Sequence, residues 1–295
     1  MRALGITDGS AGMNAQVRAL ATAMKCELDL QAVQVKFPWK YLPNKAYDLG
    51  LRYLFPVTSF KPKETPDIII SCGRKGALIS ASLKAKTKRI HIQDPQMNPL
   101  HFDVVIVMEH DKIRGSNILQ TPYALHDITR DKMQTARTHW EPKFAHLPRP
   151  WNAILIGGST NKYTFTPAAM QALIKEMGAI PGSLLITTSR RTGEENIATL
   201  THHFGGHAGR AFLYTGELEN PYPGMLACAD TIYVTNDSVN MMSEAVASGK
   251  PVEILKLKDH ENTKPARFAE RLKTINVSPH EMMTSLVHDV KLMLA

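Results

Sequence analysis

Cysteine is scarce in this chain of 295 residues: Cys26, Cys72 and Cys228 are isolated and form no CxxC pair. That argues against a disulfide framework and a thiolate zinc site, and leaves each as a small core residue. No apolar run approaches the roughly 20 residues that span a bilayer. The opening MRALGITDGS enters a strand instead of a charged-then-apolar export signal, so the expected compartment is the cytoplasm. The P-loop pattern GxxxxGKS/T is missing, which disfavours that mode of Mg-ATP handling; GxGxxG is also missing, so a nicotinamide site lacks its fingerprint. There is no DxD carboxylate pair and no histidine group with metal spacing; His202 and His203, adjacent on an expected helix, point apart. No metal and no cofactor are expected.

What is present is ordinary hydrophobic content, 43%, with 7% aromatics and a formal net charge of +8. Such a composition suits a soluble globular protein with an acidic partner: nucleic acid, anionic lipid or a phosphorylated small molecule. Nucleic acid is set aside, because no reading helix or basic-aromatic platform of a known module is found. The basic cluster from Lys84 to Arg89 reads as a solvated helix end. The stretch from Phe37 to Pro62 mixes Trp39, Tyr41, Tyr47, Tyr53, Phe55 and Phe60 with Lys40, Lys45, Arg52 and Lys61. That mixture suits an interfacial membrane contact, although a packed irregular insert is the commoner outcome.

Short apolar runs alternate with helical stretches along the whole chain, the pattern of parallel sheets covered by helices. Strands are expected at 2–6, 30–35, 67–71, 88–92, 104–107 and 117–120, then at 153–156, 183–187, 211–213, 231–234 and 252–255. Expected helices include 13–25, 75–83, 167–176, 193–204 and 222–227. Length favours two domains. Trp140 to Pro150, with prolines at 142, 148 and 150, reads as the linker. The expected organisation is therefore two doubly wound Rossmann-like α/β domains, 1–145 and 151–275, facing across a cleft, with 276–295 a helix that returns to the first.

Chemistry in such sheets gathers where strands end. Thr235 to Pro251, TNDSVNMMSEAVASGKP, follows a strand with a helix start. Asn236 or Asp237 serves as cap, Ser238 leaves early N–H groups for an anion, and Gly249 ends the helix. On that helix Val239, Met242 and Val246 share one face, and Asp237, Asn240 and Glu244 share the other. Ala153 to Thr166, AILIGGSTNKYTFT, puts Gly157, Gly158, Ser159 and Thr160 after another strand, in outline a phosphate cradle. Ser189, Arg190 and Arg191 end a third with two guanidinium groups suited to a diphosphate or carboxylate. Thr215 to Pro221 is a further turn. In the first half, Asp8, Gly9, Ser10 and Gly12 lead into a helix bearing Asn14, and Ser71 to Gly76 supplies the cations Arg74 and Lys75.

These motifs resemble two groups. IGGS at 156–159, ADTIYVTNDS at 229–238 and SEAVASGKPV at 243–252 resemble GT-B glycosyltransferases that transfer N-acetylglucosamine to a lipid-linked acceptor in peptidoglycan synthesis. DGSAGMNAQ, GGSTNKYTF, SRRTG and TNDSVNMMSEA are similar to the family named after the plant mitochondrial fission factor, over nearly the whole chain. The resemblance implies a nucleotide-diphosphate sugar on the second domain, as substrate instead of cofactor. Glu244 would accept from the ribose hydroxyls, and Ser238 with the N–H groups after it would hold the diphosphate. Gly157, Gly158 and Ser159 would line the pocket, with Arg190 or Arg191 neutralising phosphate. The acceptor side falls to the first domain. There Met13 stands where related transferases carry a histidine base, so Asp8 is the candidate base, its other reading being a turn residue. The expected activity is inverting, metal-independent glycosyl transfer to a lipid-linked or envelope acceptor near an anionic membrane surface. Two alternatives remain: a non-catalytic membrane-associated scaffold, and a sugar-nucleotide epimerase using carboxylates such as Asp8 and Asp94.

Overall fold

The computed structural model describes the chain except residues 85, 161–162, 207–208, 217–218, 258–259 and 261–262. Parts of the expected Lys84–Arg89 cluster, the 153–166 segment and the 215–221 turn therefore lie outside the described residues. The apolar runs become β1 (Arg2–Thr7), β2 (Glu27–Ala32), β3 (Ile68–Cys72), β4 (Lys88–Ile92), β5 (Val104–Met108) and β6 (Ile118–Thr121). Between and after them come α1 (Ala11–Ala23), α2 (Lys45–Asp48), α3 (Gly73–Ser82) and α4 (Arg130–Phe144). The second half holds β7 (Trp151–Ile156), α5 (Pro167–Gly178), β8 (Ser183–Thr188), α6 (Glu194–Phe204), β9 (Ala211–Tyr214) and α7 (Tyr222–Cys228). It closes with β10 (Thr231–Thr235), α8 (Val239–Ala247), β11 (Val252–Leu255), α9 (Lys264–Arg271) and α10 (Pro279–Leu294).

Two all-parallel sheets result, ordered β2-β1-β3-β4-β5-β6 and β11-β10-β7-β8-β9. Central strands such as Ile68–Cys72 and Trp151–Ile156 are buried at every position, because helices cover both faces of a parallel sheet. In each sheet the strand order reverses once, between β1 and β3 and between β10 and β7. Ligands in open α/β sheets bind outside the carboxyl ends of strands at such reversals.

The chain forms two compact units, residues 1–127 with 277–295, and residues 128–276. The boundary therefore falls before α4, not within Trp140–Pro150, and the expected linker is a correction. Residues 140–144 are the last turn of α4, where Ala136, Trp140 and Phe144, spaced by four, are buried on one face. Trp140 lies so close to Gly224 of α7 that a Cβ there would collide with its ring. Pro142 stands in that last turn and, having no N–H, leaves the Thr138 carbonyl without its helical donor. The expected strand 30–35 also shifts: β2 pairs with β1 from Glu27 to Ala32, and Val33 N–H donates to Thr7 O just beyond the ladder. Within the first unit, α10 packs on α1, β5 and β6 and buries Met282, Met283, Leu286 and Val290.

Candidate functional site

In the second unit the strand reversal lies between β7 and β10, so the loops after them, 157–160 and 236–238, sit at one sheet edge. Asp237 organises that edge. It is 3% exposed, and its carboxylate accepts from Thr235 Oγ1 at 2.6 Å, from Gly158 N at 2.8 Å and from Arg191 Nη2 at 3.1 Å. Three donors, one of them cationic, offset the desolvation of a buried carboxylate. Thr235 Oγ1 in turn accepts from Gly157 N at 2.8 Å, and Thr192 Oγ1 donates to Gly157 O at 2.5 Å. Arg191 Nη1 also donates to the carbonyls of Gly158 and Ser159, while Ser159 N donates back to Arg191 O at 2.9 Å.

The expected phosphate cradle is corrected by this network. The amides of Gly157, Gly158, Ser159 and Thr160 all donate to protein acceptors, the last to Tyr163 O at 2.8 Å, so the bend presents no open row of N–H groups. The glycines serve a different closeness. A Cβ on Gly157 would strike the Asp237 carboxylate, and one on Gly158 would strike the Arg191 backbone. The bend belongs to the protein's own packing, and Arg191 is committed to it as an ion pair. Ser159 Oγ accepts from Phe165 N at 2.9 Å, and Ser189 Oγ from Arg191 N at 3.1 Å; both hydroxyls shape turns. The expected cap is corrected too. Asn236 Oδ1 accepts from Leu257 N at 3.0 Å and Asp237 is locked as described, so the N-cap of α8 is Ser238, whose Oγ accepts from Met241 N.

What stays open is the start of α8 itself. The N–H groups of Ser238 and Val239 have no acceptor among the described residues, and a helix N-terminus carries partial positive charge. Arg190, next to the committed Arg191, is exposed and pairs with no described residue. Further along α8, half-buried Glu244 accepts from Tyr222 Oη at 2.5 Å. Burial, then the charge and hydrogen bond of Glu244, holds the Tyr222 phenol well above its ordinary range, so it remains a donor. Tyr222, Thr192 and Thr235 were not expected as site residues. Thr192 and Thr235 sit inside motifs that drew attention, whereas nothing in the local sequence singles out Tyr222.

In the first unit the reversal between β1 and β3 brings together the loops after them. Asp8 is exposed, and its Oδ1 accepts from Ser10 N at 3.0 Å; Gly9, at φ +85°, donates to Thr7 Oγ1. Thr7 Oγ1 also donates to Asn14 Oδ1 at 2.5 Å, tying the loop to α1. Ser10 is the N-cap position of α1 without a side-chain capping bond, and Gly12 lies in the first turn. Met13 reaches across to β3's end, where a Cβ on Gly73, at φ +74°, would collide with its thioether. Met13 thus fills the space against Gly73 with an apolar side chain. Burial, then the charge of Asp8, pushes the Cys72 thiol up, away from a reactive thiolate. Arg74 is corrected: Nη2 donates to the carbonyls of Trp39, Lys40 and Leu42 at 3.1–3.2 Å, a structural clamp instead of an acceptor contact. Lys75 is half-buried and pairs with no described residue.

Two parallel sheets, each with its polar loops at a strand reversal, define an α/β protein of the GT-B fold. UDP-GlcNAc 2-epimerase from Methanocaldococcus jannaschii superimposes with a TM-score of 0.55 at 11% identity, covering 99% of this chain and 100% of that one. The enzyme of that name from Neisseria meningitidis, solved bound to UDP-GlcNAc, gives 0.56 at 14% identity, covering 99% of this chain and 92% of that one. The chain belongs to the Mitochondrial fission ELM1 family, whose sequence profile matches residues 11–282. The Mitochondrial fission protein ELM1 of Arabidopsis thaliana is 28% identical over 241 residues, 72% of this chain but only 56% of that protein. An uncharacterized protein of Rickettsia prowazekii is 27% identical over 313 residues, 90% of this chain and 86% of that one.

Proposed function

We propose that the second unit binds a nucleotide-diphosphate sugar at the strand reversal between β7 and β10, and that the protein is an inverting, metal-independent glycosyltransferase acting on a lipid-linked or envelope acceptor. The observation that carries this reading is the start of α8. Two N–H groups without an acceptor, an unpaired guanidinium on the neighbouring loop and a half-buried carboxylate on the same helix belong to one unit. The diphosphate suits the Ser238 and Val239 amides and Arg190, which would stabilise the leaving group by helix dipole and bidentate bonds. Glu244 suits the ribose hydroxyls, with Tyr222 fixing the carboxylate. Gly157, Gly158, Ser159 and Arg191 support the site by locking the adjacent bend.

Transfer would proceed by attack of an acceptor oxygen on the anomeric carbon. The acceptor proton passes to a general base, the bond from anomeric carbon to diphosphate oxygen breaks, and the nucleoside diphosphate leaves with the bonding pair. Asp8 keeps acceptor capacity, since a carboxylate offers about four lone-pair sites and one is spent on the turn.

A thermal-shift screen against UDP, GDP, CDP and CMP sugars tests the binding step. A true ligand at roughly 100 times its Kd should add about 2.7 kcal/mol of stability, and Glu244→Ala and Arg190→Ala should each abolish the shift. No shift with any of them sinks the reading. A second reading, a scaffold that retains the fold, is favoured by the closed glycine bend and by Met13 filling the expected base position. It predicts no response to nucleotides and undiminished partner binding in the Glu244→Ala and Arg190→Ala variants.

A further inference from the structure

The first unit carries most of its exposed large apolar side chains in one stretch. Among the described residues, ten large hydrophobics are flagrantly solvent-facing, and six of them, Phe37, Tyr41, Leu49, Tyr53, Leu54 and Phe55, fall between 37 and 55. Leu49 and Tyr53 are each 79% exposed and Phe37 is 78%. Isolated surface apolars need no explanation, but a cluster does.

The cluster is not the outside of a loose loop. Trp39 is fully buried and its Nε1 donates to Phe55 O at 3.1 Å, while Lys36 N donates to Val57 O at 2.8 Å, so residues 36–39 run beside 55–57. Tyr47 is 5% exposed and donates to Ala81 O at 2.9 Å, anchoring the segment to α3. Arg74 clamps the carbonyls of Trp39, Lys40 and Leu42 from below. The turn from Leu49 to Phe55 is closed by Tyr53 N to Gly50 O and Phe55 N to Leu51 O, which holds Leu49, Tyr53 and Leu54 on one tight turn. Apolar side chains are thus held in water by a rigid base, at a standing cost of hydration that an occupant would relieve.

Charge says which occupant. From residue 36 to residue 63 the chain has Lys36, Lys40, Lys45, Arg52, Lys61 and Lys63 against a single acid, Asp48, which His101 engages at 2.7 Å. Arg52 stacks over Tyr47 and Tyr53 at 5.0 and 4.6 Å. Beside the turn lies a groove of about 1030 Å³, lined among others by Arg52, Tyr53, Lys61, Lys63, Lys84 and Lys86, and by one acid, Glu64, which pairs with Arg2. Aromatic and leucine side chains interleaved with lysines match the boundary of an anionic bilayer, where the rings enter the headgroup layer and the cations meet phosphate.

We infer that the 36–63 insert is a docking surface for an anionic phospholipid bilayer, inserting Phe37, Leu49, Tyr53 and Leu54 while the surrounding lysines and the groove hold lipid phosphates. The inference rests on the first unit alone and stands whether or not the second unit binds a nucleotide sugar.

Sedimentation of the full chain with phosphatidylcholine vesicles, with and without phosphatidylserine, is the test. The protein should pellet with the anionic vesicles, release in high salt, and ignore the neutral ones. Leu49→Ser with Leu54→Ser should lower the partition at least tenfold at an unchanged melting temperature, because both residues are exposed. Lys36→Glu with Lys40→Glu and Lys45→Glu should lower it further, each basic residue near such a surface being worth about fivefold. Failure to pellet with any vesicle, or pelleting that both variants leave intact, overturns the inference. So does a dimer in vesicle-free solution that Leu49→Ser with Leu54→Ser dissolves while vesicles are ignored, since the face would then belong to a second copy.

Discussion

Asp237 shows how one side chain can decide what a loop is for. Its carboxylate closes the bend that the glycines open, so its removal strands Gly158 N–H, Thr235 Oγ1 and the Arg191 guanidinium together. Replacing it with alanine should cost about 2–4 kcal/mol, the lower end reflecting the partial exposure of Arg191. Urea denaturation of Asp237→Ala beside wild type measures this, and a loss below 0.5 kcal/mol, the ordinary scatter for a surface change, would show that the network is dispensable. His126 sets a second residue-scale expectation. Burial, then the nearby His280 charge, lowers its pKa to about 4, while the unfolded chain keeps the ordinary 6.5. The unfolded state therefore binds more protons between those values, and stability must fall as pH drops from 6.5 towards 4, then level off. The shift amounts to about 3 kcal/mol. His91, lowered by burial to about 3, adds to the loss and extends it to lower pH. His126→Phe should flatten the part of the pH dependence between 6.5 and 4 in melting curves; an unchanged slope would mean that His126 is not buried neutral.

At the scale of elements, the packing of α4 on α7 depends on a missing side chain. Gly224 faces the Trp140 ring so closely that Gly224→Ala must push the ring or the helix aside, an overpacking cost of about 1–3 kcal/mol. A melting temperature within a degree of wild type would contradict that geometry. The same helix marks the limit of what sequence alone conveys. Strands were legible because parallel strands read as continuous apolar runs, and Lys88–Ile92 and Val252–Leu255 fall where the apolar pattern puts them. Most helices announced themselves by apolar spacing. α4 did not, because it buries only Ala136, Trp140 and Phe144 among charged residues and carries a proline near its end. The loops at the strand reversals were legible as locations, since polar and glycine residues collect there. Their roles were not. Gly157 meets Thr192 and Asp237, 35 and 80 positions away in sequence, and only the register of β7 against β8 and β10 brings them together. A glycine that admits a ligand and one that admits a neighbouring carboxylate look identical in a string of residues.

For the whole molecule, the chain's path sets a constraint that neither sheet shows by itself. After the second unit is complete, the chain returns, and α10 supplies part of the first unit's core. Its start is fixed by Ser278 and Glu281, whose side chains and backbones satisfy each other in a capping box. Met282, Met283, Leu286 and Val290 are each under 10% exposed, and burying four such side chains is worth about 1.5–3 kcal/mol apiece. Their sum rivals the 5–15 kcal/mol that typically holds a domain folded. Ending the chain at residue 276 should therefore collapse hydrogen-exchange protection in β1, β5 and β6. The protection of β7, β8 and β10 should persist, because they belong to the second unit. Equal loss in both sets of strands would show that the units fold as one, and equal retention would show that α10 is only an ornament on the first. If the first result is obtained, the docking insert between β2 and β3 depends for its rigid base on the last residues of the chain, so the truncated protein should also lose its hold on anionic vesicles.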